Sequence, residues 1–482
     1  MLATMLVVRP HHAGLRGLRW GLRPSLALVL LAAVAACGDD FGEAPPPGPS
    51  DAEWSKSFGD EAAQTVTSVA MDELGGVYIT GGFAGTTDFG GGPITAAGTS
   101  EDLFVAKLDT DGNHVWSRRF GDTGMQRGTG IAVSAQGQIV VTGTLQGSID
   151  LAGEFLQRSS GSDIFLIPLD AEGEPLWGKT FAGVDQDNPR AVAVDGGGNI
   201  HIAGDFLGDV AFGGDLLFSA GDRDVFVAKF LPTGEHVWSQ RFGDEDSDLL
   251  GDLAVSEAGA VAITGTSRGL ELDFGGGPLP GGGGDDALLA TFAQDGGVAW
   301  AVRLGDDTPQ RGTGVTYDAA ANLVATGQFA GTVDFGGGQT RTSTGGVDVY
   351  AVKFAPDGGV VWTAGFGVQG NQLGGRVAAS PDGEVTLVGT FDGAVDFGGS
   401  QLTAEGTGMV DIYRARLSAS GAHLASSAYG GALMESVADV AVDVAGNTAF
   451  VGDFQGTIDF GFGGHATTGD MDVNPFVVKL SR

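Results

Sequence analysis

The stretch Val115-Trp116-Ser117-Arg118-Arg119-Phe120-Gly121-Asp122 decides the fold, because it recurs with drift seven times in a chain of 482 residues. The copies start at Trp54, Trp116, Trp177, Trp238, Trp300 and Trp362, with Ala425 replacing tryptophan in the seventh. The steps between them are 62, 61, 61, 62, 62 and 63 residues. A fixed period of this length marks a solenoid, an array or a closed ring of repeats. It overrides the reading of about three separate domains that length alone would suggest.

Upstream of Trp116 the unit reads as four strands. Thr67 to Glu73 (TSVAMDE) alternates apolar and polar residues, the pattern of a half-buried strand. Leu74-Gly75-Gly76 turns the chain into GVYITGGFAG, and the glycine-broken TTDFGGGPITAAGTSED follows. Asp102 to Asp109 (DLFVAKLD) is a third, more apolar strand, and HVWSRRFG is the fourth. The first strand ends in Asp72, Ser134, Asp195, Ser256, Asp318, Ser380 and Asp443. Three residues later stands Gly75, Gly137, Gly198, Gly259, Gly383 or Gly446, with Ala321 the exception. An Asp or Ser that bonds its own backbone, followed by a left-handed residue, is the chemistry of a tight turn. The DFGGG segment recurs around Phe89, Leu151, Phe212, Phe274, Phe335, Phe397 and Phe460. It predicts an extra small hairpin between the second and third strands.

Four antiparallel strands per unit, seven units and no helical periodicity predict an all-β, seven-bladed β-propeller with blades of about 61 residues. The ends support closure. Glu53 to Gly59 is a fourth strand with no first strand before it, and the last unit stops after PFVVKL without a fourth. The N-terminal strand is therefore expected to complete the last blade and close the ring, removing an exposed edge.

Residues 1–36 are basic and then apolar, ending in the run LALVLLAAVAA (Leu26 to Ala36). Eleven apolar residues are too few for a membrane span, and the pattern is that of an export signal. Val34-Ala35-Ala36-Cys37 resembles a bacterial lipoprotein lipobox, which implies lipidation at Cys37, the only cysteine. Residues 37–51 then read as lipidated cysteine plus Pro-rich tether, and 52–482 as the propeller. Gly38, rather than aspartate, after Cys37 resembles the outer-membrane form of that signal. Four of the 25 basic residues lie in the leader, so 21 face 60 acidic ones in the rest, a balance of −39. That excludes a basic footprint for nucleic acid and leaves the lipid anchor as the only membrane contact. Solubility outside the cell and divalent-cation binding are the two meanings of such a charge.

GIAVSAQGQIVVTG, AVAVDGGGNIHIAG and VWSRRFGD resemble the bacterial SBBP-type β-propeller repeats over Trp54 to Arg482. The resemblance implies an architecture common in secreted and surface proteins and carries no catalytic motif. Pro168 and Thr291 depart from it, standing where other copies carry Lys or Arg.

Among residues that could carry chemistry, His114, His236 and His423 occupy one place in three separate units and cannot share a metal. Asp102, Asp163, Asp224, Asp286, Asp348 and Asp411 open the third strands, with Asn474 in the seventh. They read either as loop-bonding structural aspartates or as carboxylates near one mouth of the channel, able to hold Ca²⁺ with the loop residues Asp60, Asp122, Asp244 and Asp306. Asp109, Asp111 and Asn113 form a D-x-D-G-N turn like part of a calcium loop, but no glutamate follows at the twelfth position. No nucleophile elbow, P-loop or dinucleotide fingerprint is present. The glycine runs Gly90–Gly92 and Gly281–Gly284 do not open a helix. The expectation is a monomeric, lipid-anchored, non-catalytic module of the outer membrane or cell surface that binds a protein or polysaccharide. Its alternative is a carbohydrate-active enzyme that uses carboxylates of the loop face.

Overall fold

The computed structural model describes residues 52–482 apart from 60, 61, 159, 160, 184, 270, 282, 406–409, 468, 470 and 471. The leader, Cys37, the tether and Asp60 lie outside the described residues. Every regular element among those described is a β-strand. They build seven four-stranded antiparallel sheets and seven two-stranded hairpins.

The first blade shows the plan. Its strands are Gln64–Met71, Val77–Phe83, Asp102–Leu108 and His114–Phe120, paired in that order from the axis outward. The innermost strand starts three residues before the alternation read from the sequence, because the register shifts between Val66 and Ser68. The bulge at Thr67 breaks the two-residue period, so the first turn of the strand does not share the later pattern. Each of the other six blades has the same irregularity. The tight turns lie at one end of the ring, here the lower end. The hairpins and the passages to the next blade lie at the upper end.

The ring closes as expected. Ala52–Ser57 pairs antiparallel with Val473–Leu480, outside Thr448–Gln455 and Glu435–Val442, and supplies the fourth strand of blade 7. Ala52 lies opposite Leu480, at the lower end.

Two aromatic devices hold blade to blade. The first is the extra hairpin. Its phenylalanine wedges between the preceding blade's fourth strand and its own third strand. Phe89 stands 5.0 Å from Phe58 and 4.7 Å from Phe104, and Phe212 stands 5.2 Å from Phe181 and 4.8 Å from Phe226. Phe397 and Phe460 repeat the arrangement. Each wedge is buried, which is worth about 2–3 kcal/mol per ring. The second device is the tryptophan. Trp54, Trp116, Trp177, Trp238, Trp300 and Trp362 each donate Nε1–H to a backbone carbonyl in the lower turn of the next blade, at 2.9–3.1 Å. The indole lies against that turn's glycine (Gly112, Gly173, Gly234, Gly296, Gly358, Gly421), where a Cβ would overlap the ring. These glycines also have φ of 77–89°, so two separate constraints select the residue.

The substitution at Ala425 now has a reason. A tryptophan there would reach for the third-to-fourth turn of blade 7. No such turn connects Leu480 to Ala52, because those two strands come from opposite ends of the chain.

Candidate functional site: the axial cavity

The innermost strands surround a channel, and one side chain divides it. Arg376 of blade 6 extends across the axis. Its Nε–H bonds the Ala438 carbonyl (2.9 Å), and Nη1 bonds the carbonyls of Gly251 (2.7 Å) and Thr313 (2.9 Å). One guanidinium thus ties blades 4, 5 and 7 to blade 6. Asp252 stands 3.8 Å from it, and Asp439 accepts from Ser68 Oγ (2.6 Å) and the Val69 N–H (3.0 Å). Burial raises the pKa of Asp252 to about 6, against the pull of Arg376, and raises that of Asp439 for the same reason.

Above this septum is a cavity of about 760 Å³, open at the upper end; below it is a smaller one of about 280 Å³. Thr67, Thr129, Arg127, Arg190, Gln146 and Asn188 line the upper cavity among others, and among the described residues its lining contains no carboxylate. Glu101 holds Arg127, and Asp205 holds Arg190 and Arg223, so the guanidiniums are oriented from behind. The cavity therefore offers hydroxyl, amide and guanidinium donors in a chain whose overall balance is strongly acidic. The sequence reading missed these residues. Their signal was a charged side chain at the fourth or fifth place of an inner strand (Arg190, Asp252, Arg376, Asp439), where the other units carry Gly, Ala, Ser or Thr.

The six aspartates singled out from the sequence stand at the upper end but two strands out from the axis. Asp102, Asp163, Asp224, Asp286, Asp348 and Asp411 are at most 3% exposed, in the seams between blades. One oxygen of Asp102, Asp224, Asp348 and Asp411 accepts a backbone N–H from the loop before it, at 2.7–2.9 Å. Arg119, Arg241 and Arg303 pair with Asp102, Asp224 and Asp286. Asp122 and Asp306 fasten the next hairpin through the backbone N–H groups of Ser148 (3.0 Å) and Thr332 (3.1 Å). Asp244 accepts the Asp246 N–H at 3.0 Å. The carboxylate of Asp109 accepts the N–H groups of Asp111 (2.9 Å) and Asn113 (2.7 Å), closing its own turn. Among the described residues no group of three or more His, Cys, Asp or Glu converges as a metal site. His114, His236 and His423 each face a serine hydroxyl at 3.1 Å and pack beneath the hairpin glycines Gly91, Gly214 and Gly399.

No family model matches the chain. It is 24% identical over 361 residues to the regulatory protein FlaEY of Caulobacter vibrioides, covering 71% of this chain and 34% of that one. It is 21% identical over 376 residues to an uncharacterized WD repeat-containing protein, L264, of Acanthamoeba polyphaga mimivirus, covering 63% of this chain and 27% of that one. The chain thus spans about a third or less of these relatives. Among solved structures it resembles the β-propeller domain of the Trilobed protease from Pyrococcus furiosus at 8% identity and a TM-score of 0.42, over 85% of this chain and 98% of that one. Sqt1 from Chaetomium thermophilum matches at 11% identity and a TM-score of 0.40, over 90% of each chain.

Proposed function

We propose that this chain is an exported, lipid-anchored propeller of the SBBP-repeat kind, a monomer that binds a surface polysaccharide or protein at its axial cavity and performs no chemistry on it. The observation that carries this reading is the upper cavity itself. It is large enough for one or two sugar rings or a side-chain cluster, floored by Arg376, and lined by neutral donors and guanidiniums instead of carboxylates. Glycoside hydrolysis needs two carboxyl groups flanking the bond, and the six aspartates that open the third strands are buried in the seams, away from the cavity lining. In this reading the tether from Cys37 leads to Ala52, which stands at the lower end of the ring, and the cavity mouth opens at the upper end.

The test is retention of bacterial surface polysaccharides on the immobilised chain, compared with an Arg127→Ala/Arg190→Ala variant. We expect a retained glycan that the variant loses at least tenfold. No retained glycan, or equal retention by the variant, would remove the cavity from the account. Release of shortened oligosaccharides would replace binding with carbohydrate-active catalysis.

A further inference from the structure

The blade seams differ in one respect that repeats make visible. Three positions meet at the upper end of each seam. The first is the residue opening the third strand. The second is the residue of the fourth strand that pairs two positions further along it. The third is the residue opening the next blade's inner strand, whose N–H bonds the carbonyl just before the first position at 2.6–3.3 Å in the six seams from 1/2 to 6/7. Where blade 1 meets blade 2 the three are Asp102, Arg119 and Gln126, and where 4 meets 5 they are Asp286, Arg303 and Gln310. Each aspartate there has its guanidinium, and the third residue is neutral. Where 7 meets 1 all three are uncharged: Asn474, Ser57 and Gln64.

Where 3 meets 4, Asp224, Arg241 and Asp248 put two acids beside one cation, and where 5 meets 6, Asp348, Gly365 and Gln372 leave one acid without a cation. Two further seams combine both departures. Where 2 meets 3 the residues are Asp163, Thr180 and Asp187; where 6 meets 7 they are Asp411, Ala428 and Glu435. The arginine is lost, and in the same seams the neutral glutamine becomes a second acid. Loss of the cation alone would favour the opposite change. All four carboxyls are at most 4% exposed. Oδ1 of Asp411 has no hydrogen-bond donor, and the backbone N–H groups of Gly183 and Gly431 that bear on Asp187 and Glu435 fall short of good hydrogen-bond geometry. The guanidinium that bears on the charge of Asp187, that of Arg223, is held by Asp205 at 3.1 Å. Asp209 and Glu405 add further negative charge to the two seams. One shared proton per seam would still leave one carboxylate charge buried, with no arginine at the place where blades 1, 3 and 4 put one, a cost of several kcal/mol. A divalent cation compensates both.

From this geometry we infer that the seams between blades 2 and 3 and between blades 6 and 7 are two cation sites, Asp163 with Asp187 and Asp411 with Glu435, each taking one Ca²⁺-sized divalent ion. The paired carboxylates supply up to four hard oxygen donors, the set such ions take at about 2.3–2.6 Å. The ion stands where Arg119, Arg241 and Arg303 stand in other blades. It joins two blades through the opening residues of their strands. This role is independent of the axial cavity and of whatever the cavity binds.

Calorimetric titration of CaCl₂ into the full chain, stripped with chelator, tests it. We expect two equivalents in the wild type, one in Asp187→Asn, one in Glu435→Gln and none in the double variant. We also expect a calcium-dependent rise in Tm that the double variant loses. Asp248→Asn, at the seam where Arg241 already compensates Asp224, should keep both equivalents and controls for general damage. No saturable binding, or two equivalents surviving in the double variant, overturns the inference. So does a double variant that melts higher than the wild type while calcium leaves the wild type unchanged, which would assign the seams to shared protons.

Discussion

At the scale of single residues, the repeat acts as its own control, because each side chain can be compared with its counterparts in the other blades. Trp116→Phe keeps an aromatic ring against Gly173 but loses the bond to the Ala171 carbonyl. The expected cost is about 1 kcal/mol in urea unfolding. Ala425→Trp should add nothing, since the turn it would clamp does not exist. Asp453 and Asp205 stand at equivalent places in the second strands, but only Asp205 is held by arginines. Burial pushes the pKa of Asp453 up to about 7, and its Oδ1 has no donor. A carboxyl raised in the folded state contributes fully below its unfolded pKa near 4, and its contribution is lost as pH rises through 7. Asp453→Asn should therefore match the wild type at pH 4 and exceed it by on the order of 1 kcal/mol at pH 8, read as Tm at the two values. An unchanged difference between the two pH values would show that Asp453 is solvated.

At the scale of the element, the sequence was informative wherever one residue serves one local purpose. Alternation placed the strands, and the Asp or Ser with glycine three residues on placed the lower turns, down to Ala321, which takes the left-handed conformation at φ 59°. It was less informative where a strand has two environments. The bulge at Thr67 and its counterparts hid the upper ends of the inner strands, the segment that faces the cavity. The aspartates opening the third strands were legible as a regular position. Their neighbours in the seam were not, because those come from a different strand and the following blade. The fourth strand of blade 7 carries the sharpest test of an element's worth. Deleting Asp51 to Gly59 uncovers the edge of Val473–Leu480 and removes Trp54 from its bond to Thr110. The product should aggregate in size-exclusion chromatography. A stable monomer would mean that blade 7 does not need its N-terminal strand.

At the scale of the whole molecule, the architecture was readable because seven repetitions average out local drift, whereas the cavity was not, because its character comes from departures from the repeat. Arg190, Arg376, Asp252 and Asp439 each occur once around the axis, and they matter by meeting there. Function at this scale is written in the exceptions. The indole clamps carry a last consequence. All six point the same way round, each blade gripping the one after it, and the junction of blades 6 and 7 has none. At that junction the lower end is held instead by Arg482, whose guanidinium pairs with Asp382 and Glu384, and by Arg414 on the Ser481 carbonyl. Six joints are thus fastened by rings and one by exposed charge, so added salt should loosen a single line of the body and spare the rest, beside the strand through which the chain enters.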